Sequence, residues 1–154
     1  MPMNTRPPRQ VLFLSVRNSG RSQIAEALVN HFLGDEWQAH SAGTAPARQI
    51  HPLAVQVLKE WGVDTTPLRP KSVVDMTERR FDLVLVLSDE AEHAPHWPGP
   101  DPVRRVWLPE ASRVSGSVVE RIDAFRQARN VIWHSVREHL HAIPRRAAAA
   151  AAPS

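Results

Sequence analysis

Val11-Leu-Phe-Leu-Ser15-Val-Arg-Asn-Ser-Gly-Arg-Ser22 runs from a continuous apolar stretch into a polar loop holding one glycine and two arginines. Four apolar residues in a row fit a strand covered on both faces, as in a parallel sheet. Beyond the loop, Ile24, Leu28 and Phe32 recur at helical spacing, and Gly34 sits where a helix stops. A loop between such a strand and helix turns its backbone N–H groups toward one point, at the positive end of the helix dipole. Gly20 lets a ligand approach the backbone closely, and Arg21 offers a fork of donors suited to a tetrahedral oxyanion. The plainer reading of the same residues is a polar turn with two solvated arginines.

Outward from this stretch, three more runs read as strands: Trp37-Gln-Ala-His-Ser41, Asp82-Leu-Val-Leu-Val-Leu87 and Arg104-Arg-Val-Trp-Leu108. Leu53, Val57, Leu58 and Trp61 form a second helical face, opened by Pro52 and closed by Gly62. Ser117 and Glu120 form a capping-box pattern before a last helix lined by Val118, Ile122, Phe125, Ile132, Val136 and Leu140, which Pro144 ends. Strands alternating with helices predict an α/β fold in three layers, a parallel sheet with helices on both faces. Ligands of such sheets sit at the carboxyl ends of the strands, near the switch point in strand order. The expected organisation is an N-terminal extension over 1–9, one domain over 10–143 and an alanine-rich tail over 144–154.

The 154 residues, 42% hydrophobic, suffice for a real core. No run of roughly 18 apolar residues occurs, so no membrane association is expected. Met1 to Gln10 has no apolar signal region, and the expected address is cytoplasmic. Of the 19 basic residues only Lys59 and Lys71 are lysine; they are scattered, and no nucleic-acid partner is expected. The cysteine count is zero, which excludes disulfides, thiolate ligands and any thiol redox step within the chain.

Ser15 to Ser22 resembles the Cys-x5-Arg-Ser phosphate loop of the low-molecular-weight protein tyrosine phosphatase superfamily, with Ser15 at the cysteine position. Gln23 and Ala25-Glu-Ala27 resemble its arsenate-reductase branch, of the thioredoxin- or mycothiol-coupled type. His40-Ser-Ala-Gly-Thr44, His51-Pro-Leu-Ala54, Gly62-Val-Asp64, Lys71-Ser-Val73, Ser88-Asp-Glu-Ala91 and Pro98-Gly99 match further motifs in order. The resemblance implies a four-stranded parallel sheet of order 2-1-3-4. It also implies an oxyanion site made by Val16, Arg17, Asn18, Ser19, Gly20, Arg21 and Ser22. In that site Arg21 is the clamp, Arg17 a second cation, Asn18 the brace of the loop, and Ser22 the hydroxyl beside the nucleophile position. Asn18, Glu26 and Ser41 match residues that surround a potassium ion in one branch, but no metal or other cofactor is expected here.

The chain departs from the family where its chemistry resides. A serine hydroxyl at Ser15 stays protonated near neutral pH and needs a base, for which His93, His96 and Asp89 are the candidates. Ser88 and Ala94 stand where the branch carries its further cysteines. The general-acid position falls in Trp107-Leu-Pro-Glu-Ala111 and makes Glu110 a doubtful acid, while the literal Asp101-Pro102 lies earlier. The expectation is an arsenate-reductase-like protein that binds phosphate, arsenate or a phosphorylated partner without turnover. Alternatives are a family enzyme inactivated by Cys-to-Ser replacement, or an interaction module with a vestigial loop. Trp61, Trp107 and Trp133 are expected in the core, with Trp37 or Trp97 free for a recognition surface. His134, His139 and His141 do not share a helical face and are not expected to bind metal.

Overall fold

The computed structural model describes residues 6–89 and 93–144. The residues of the expected tail beyond Pro144, and the first five residues, lie outside the described ones. The elements are β1 (Arg9–Ser15), α1 (Arg21–Phe32), β2 (Trp37–Gly43), α2 (Pro52–Lys59), β3 (Leu83–Ser88), β4 (Val103–Trp107) and α3 (Val118–His141). Short 3-10 helices span Val73–Met76 and Ala111–Arg113. All four strands are parallel, in the order β2-β1-β3-β4 expected from the resemblance.

The apolar run of β1 is buried on both sides, as its sequence requires. Val11 and Phe13 join Leu83, Leu85 and Leu87 in one core with side chains of α1, α2 and α3. Leu12 and Leu14 face the other way with Val84 and Val86, covered by Met76 of the first 3-10 helix and by Phe81 and Trp97. The two cores follow from the period-two alternation of a strand. α3 starts with the expected capping box, Ser117 and Glu120 each bonding the other's backbone N–H.

Several apolar positions fall elsewhere than expected. Trp107 on the edge strand β4 is 57% exposed, whereas Trp37 on the other edge strand, β2, and Trp97 are buried. Trp37 opens β2 beneath the Arg9 guanidinium, 4.4 Å from the ring centroid. Trp97 packs edge-on against Phe81 and donates its ring N–H to Asp101 at 3.1 Å. Trp61 and Trp133 are half-buried and pack against the core. Phe32 and Val118, at helix ends, are exposed.

Candidate functional site

The order β2-β1-β3-β4 makes the carboxyl end of β1 the switch point, with the next strand on one side and the third on the other. The loop from Ser15 to Arg21 sits there. Its carbonyls are held from outside. Ser15 O accepts from Thr44 N, Val16 O from Ala45 N, Arg17 O from Ala47 N and Ser19 O from His51 N, at 2.7–3.2 Å. In a trans peptide the N–H points opposite the carbonyl, so the N–H groups of Val16, Arg17, Asn18 and Gly20 turn toward the loop's interior. Asn18 shows the result, its N–H reaching Ser15 Oγ at 3.1 Å. At the start of α1, Gly20 provides no side-chain cap, unlike His51 at α2 and Ser117 at α3.

Asn18 braces the loop from within. Its φ of 52° is left-handed, a conformation asparagine tolerates better than most residues. Its Nδ2 donates to Ser22 Oγ at 2.8 Å, and its Oδ1 accepts from Lys71 N at 2.8 Å and Gln23 Nε2 at 3.0 Å. Gln23 Nε2 also reaches Arg69 O at 2.7 Å, tying the loop to the segment before the first 3-10 helix. Ser22 Oγ and Ser15 Oγ lie 2.7 Å apart, each also accepting a bond from Asn18, and either hydroxyl can donate to the other. Gly43 is needed for this close packing: a Cβ there would lie 2.6 Å from Val16 O.

Arg21 is buried, with Nη1 donating to Leu108 O at 3.0 Å and Nη2 bridging to Glu110 Oε2 at 2.9 Å. Glu110 caps the second 3-10 helix through Ser112 N. It is therefore brought to the loop, while Asp101 is not: Asp101 ties Phe81 N and Trp97 Nε1 together in the other core. A cleft of about 590 Å³ is lined by the loop from Ser15 to Arg21, Thr44, His93, Ala94, Pro95, His96, Glu110, Ser112 and Arg113. Ser22 lies beneath it, fully buried. His93 and His96 border the cleft, but the bonds of Ser15 Oγ among the described residues go to Ser22 and Asn18. Asp89 is turned to Arg113 at 3.3 Å. Ser88, at the end of β3, is buried with an unpaired hydroxyl among the described residues. A larger hollow of about 780 Å³ lies at the opposite end of the sheet, around Arg9, Trp37 and His141.

Glu26 and Ser41 do come together, but Lys71 joins them: Ser41 Oγ and Lys71 Nζ both meet Glu26 Oε1, at 2.9 and 3.2 Å. A lysine ammonium thus occupies the cation side of that carboxylate. Among the described residues no group of three or more His, Asp or Glu is placed to hold a metal ion. His51 caps α2 through Nδ1, which accepts from Leu53 N at 3.1 Å. Burial, and then the nearby Arg121, press its pKa below the ordinary value, against a smaller upward pull from Glu110. The place of the loop between β1 and α1, and Asn18 as its brace, were legible in sequence. The roles of Leu108 O, Gln23 and Lys71 were not, though Gln23 and Lys71 both stood within motifs the sequence matched.

A four-stranded parallel sheet of order β2-β1-β3-β4, with a strand–loop–helix unit at its switch point, places the chain in the class of three-layer α/β proteins. The sequence pattern described as low molecular weight phosphotyrosine protein phosphatase matches residues 10–107, and the chain belongs to that family. An arsenate reductase of Bacillus cereus (strain Q1) is 33% identical over 129 residues, covering 77% of this chain and 95% of that protein. The crystal structure of an arsenate reductase from Archaeoglobus fulgidus DSM 4304 superposes with a TM-score of 0.73 at 25% identity. It covers 85% of this chain and 98% of that one. An arsenate reductase in the phosphate binding state, 20% identical, shares the fold with a TM-score of 0.74 over 88% of this chain and 99% of its own. Among the described residues no helix is long and apolar enough to cross a membrane.

Proposed function

We propose that the loop Val16 to Ser22 holds a tetrahedral oxyanion, phosphate or arsenate, and that the chain as given turns over neither phosphate esters nor arsenate. The observation that carries this reading is the set of carbonyls held outward from Ser15 to Ser19, which leaves the amides converging beside Arg21. Arg21 would act as the clamp, and Asn18 as the brace, with Arg17 adding positive potential at the exposed rim.

Inactivity follows from the groups present. A nucleophile must be activated, and among the described residues Ser15 Oγ has neither a histidine nor a carboxylate as a hydrogen-bond partner. Reducing arsenate takes two electrons, which the family's thiols supply on becoming a disulfide. With Ser15, Ser88 and Ala94 in those places and no cysteine anywhere, the chain has no such donor. A second reading, an interaction module with a closed loop, draws on the bond between Arg21 and Glu110.

Calorimetric titration with phosphate and arsenate, alongside phosphatase and arsenate-reduction assays, tests the proposal. Saturable binding without turnover is expected. Turnover by the intact chain would contradict inactivity, and absence of binding would favour the second reading.

A further inference from the structure

This inference rests on the proposed oxyanion cradle and concerns which oxyanions it accepts. The loop amides and Arg21 are donors, and donors alone distinguish poorly between tetrahedral anions of one shape. Among the described residues lining the cleft, Glu110 is the one carboxylate. It is fixed from two sides, Oε2 to Arg21 Nη2 at 2.9 Å and Oε1 to Ser112 N at 3.3 Å. Oε1 also stands 3.7 Å from where a Cβ of Gly20 would be, directly against the loop. An anion that engages Arg21 must therefore meet this carboxylate as well.

A carboxylate offers acceptors only. An oxyanion oxygen that keeps its proton can donate to it in a short charge-assisted bond. A bare oxygen instead sets acceptor against acceptor, and in a half-buried site that repulsion is poorly screened. At neutral pH phosphate and arsenate each retain a proton, whereas sulfate and selenate retain none. Among the described residues, the other charged or titratable groups lining the cleft are Arg17, Arg21, His93, His96 and Arg113, the last paired with Asp89. Cations attract all four anions and do not sort them.

We infer that Glu110 is the specificity-determining residue of the cradle, selecting tetrahedral oxyanions that still carry a proton and rejecting those that do not. The selected class is free phosphate or arsenate. A phosphate monoester, whose second ionisation lies at about pH 6, arrives at neutral pH mainly as a dianion without a proton. A phosphorylated side chain is accordingly a poorer ligand than the free anion.

The test uses size-matched pairs at neutral pH, arsenate against selenate and phosphate against sulfate, with methyl phosphate as the ester, read by calorimetry on the intact chain and Glu110→Gln. The protonated member of each pair is expected to bind about tenfold more tightly or better, the worth of one charge-assisted hydrogen bond. Methyl phosphate falls on the sulfate side. Glu110→Gln, which adds an N–H donor, narrows both gaps by strengthening selenate and sulfate. Equal binding within each pair, or a gap unchanged in the variant, overturns the inference while leaving the cradle standing. Binding of none of the four by either protein sinks the cradle reading itself. The comparison on the intact chain decides the matter even where the variant fails to fold.

Discussion

Glu110 and Arg21, 89 positions apart in the chain, form a 2.9 Å ion pair at the mouth of the β1–α1 loop. Arg21 is nearly inaccessible, and its other terminal nitrogen is spent on Leu108 O. The pair fixes the guanidinium in place before any ligand arrives. Removing the arginine leaves a carbonyl and a half-buried carboxylate without their donor. Arg21→Ala is expected to lower stability by about 1–3 kcal/mol, the cost of stranding such groups, measured by urea denaturation.

Asn18→Ala should cost more, because one side chain serves Ser22, Gln23 and the backbone of Lys71. The left-handed backbone at this position adds strain for alanine. A loss of about 2–4 kcal/mol is expected from these terms together. Equal denaturation midpoints for Asn18→Ala and the intact chain would count against the brace.

Gly43→Ala tests the packing of β2 against the loop. The added carbon would meet Val16 O at 2.6 Å, a backbone atom without a side chain's freedom to turn away. The loop must shift, so destabilisation of about 1–3 kcal/mol should be accompanied by weaker oxyanion binding. Unchanged binding would show that the loop adapts.

How much of this was open to inspection in the sequence depends on the range of each interaction. The β1–loop–α1 unit is local: an apolar run, a polar loop and a helical repeat occupy consecutive residues. A polar loop at the start of α1 follows from that succession. What holds Arg21 is not local, since Leu108 and Glu110 arrive through β4 and the turn after it. The tryptophans were misplaced for a related reason. Strand composition does not tell which side chains a distant element will cover, so Trp107 on the edge strand β4 is exposed, while Trp37 on the other edge strand and Trp97 find partners in Arg9 and Asp101.

Acidification should destabilise the fold before any carboxylate titrates. His40, His51 and His139 all have pKa values pressed below the ordinary one, chiefly by burial, with nearby arginines contributing. The unfolded chain then binds more protons than the native one as pH falls, so the stability present above about pH 6.5 declines below it. For His51 the cause is also visible: a protonated ring loses the acceptor that caps α2. His51→Asn keeps an acceptor without titrating and is expected to flatten part of the slope in denaturation curves between pH 7.5 and pH 5, a window about one unit either side of the histidine value.

Ser15→Cys would place a sulfur where Asn18 N and Ser22 Oγ already point. Those donors, with the start of α1, should hold the new thiol below its usual pKa of about 8.5. Alkylation by iodoacetamide at mildly acid pH should run faster than for a free thiol. A thiol no more reactive than in a small peptide would argue that the amides do not converge.

The most direct measurement of the central claim is a crystal structure of the intact chain soaked in arsenate, with data collected to locate the anomalous signal of arsenic. The account predicts an arsenic peak within the loop from Ser15 to Ser22, its oxygens met by the loop amides and Arg21, and one oxygen beside Glu110. A loop without arsenic, with Arg21 still closed on Glu110 at saturating arsenate, would contradict it.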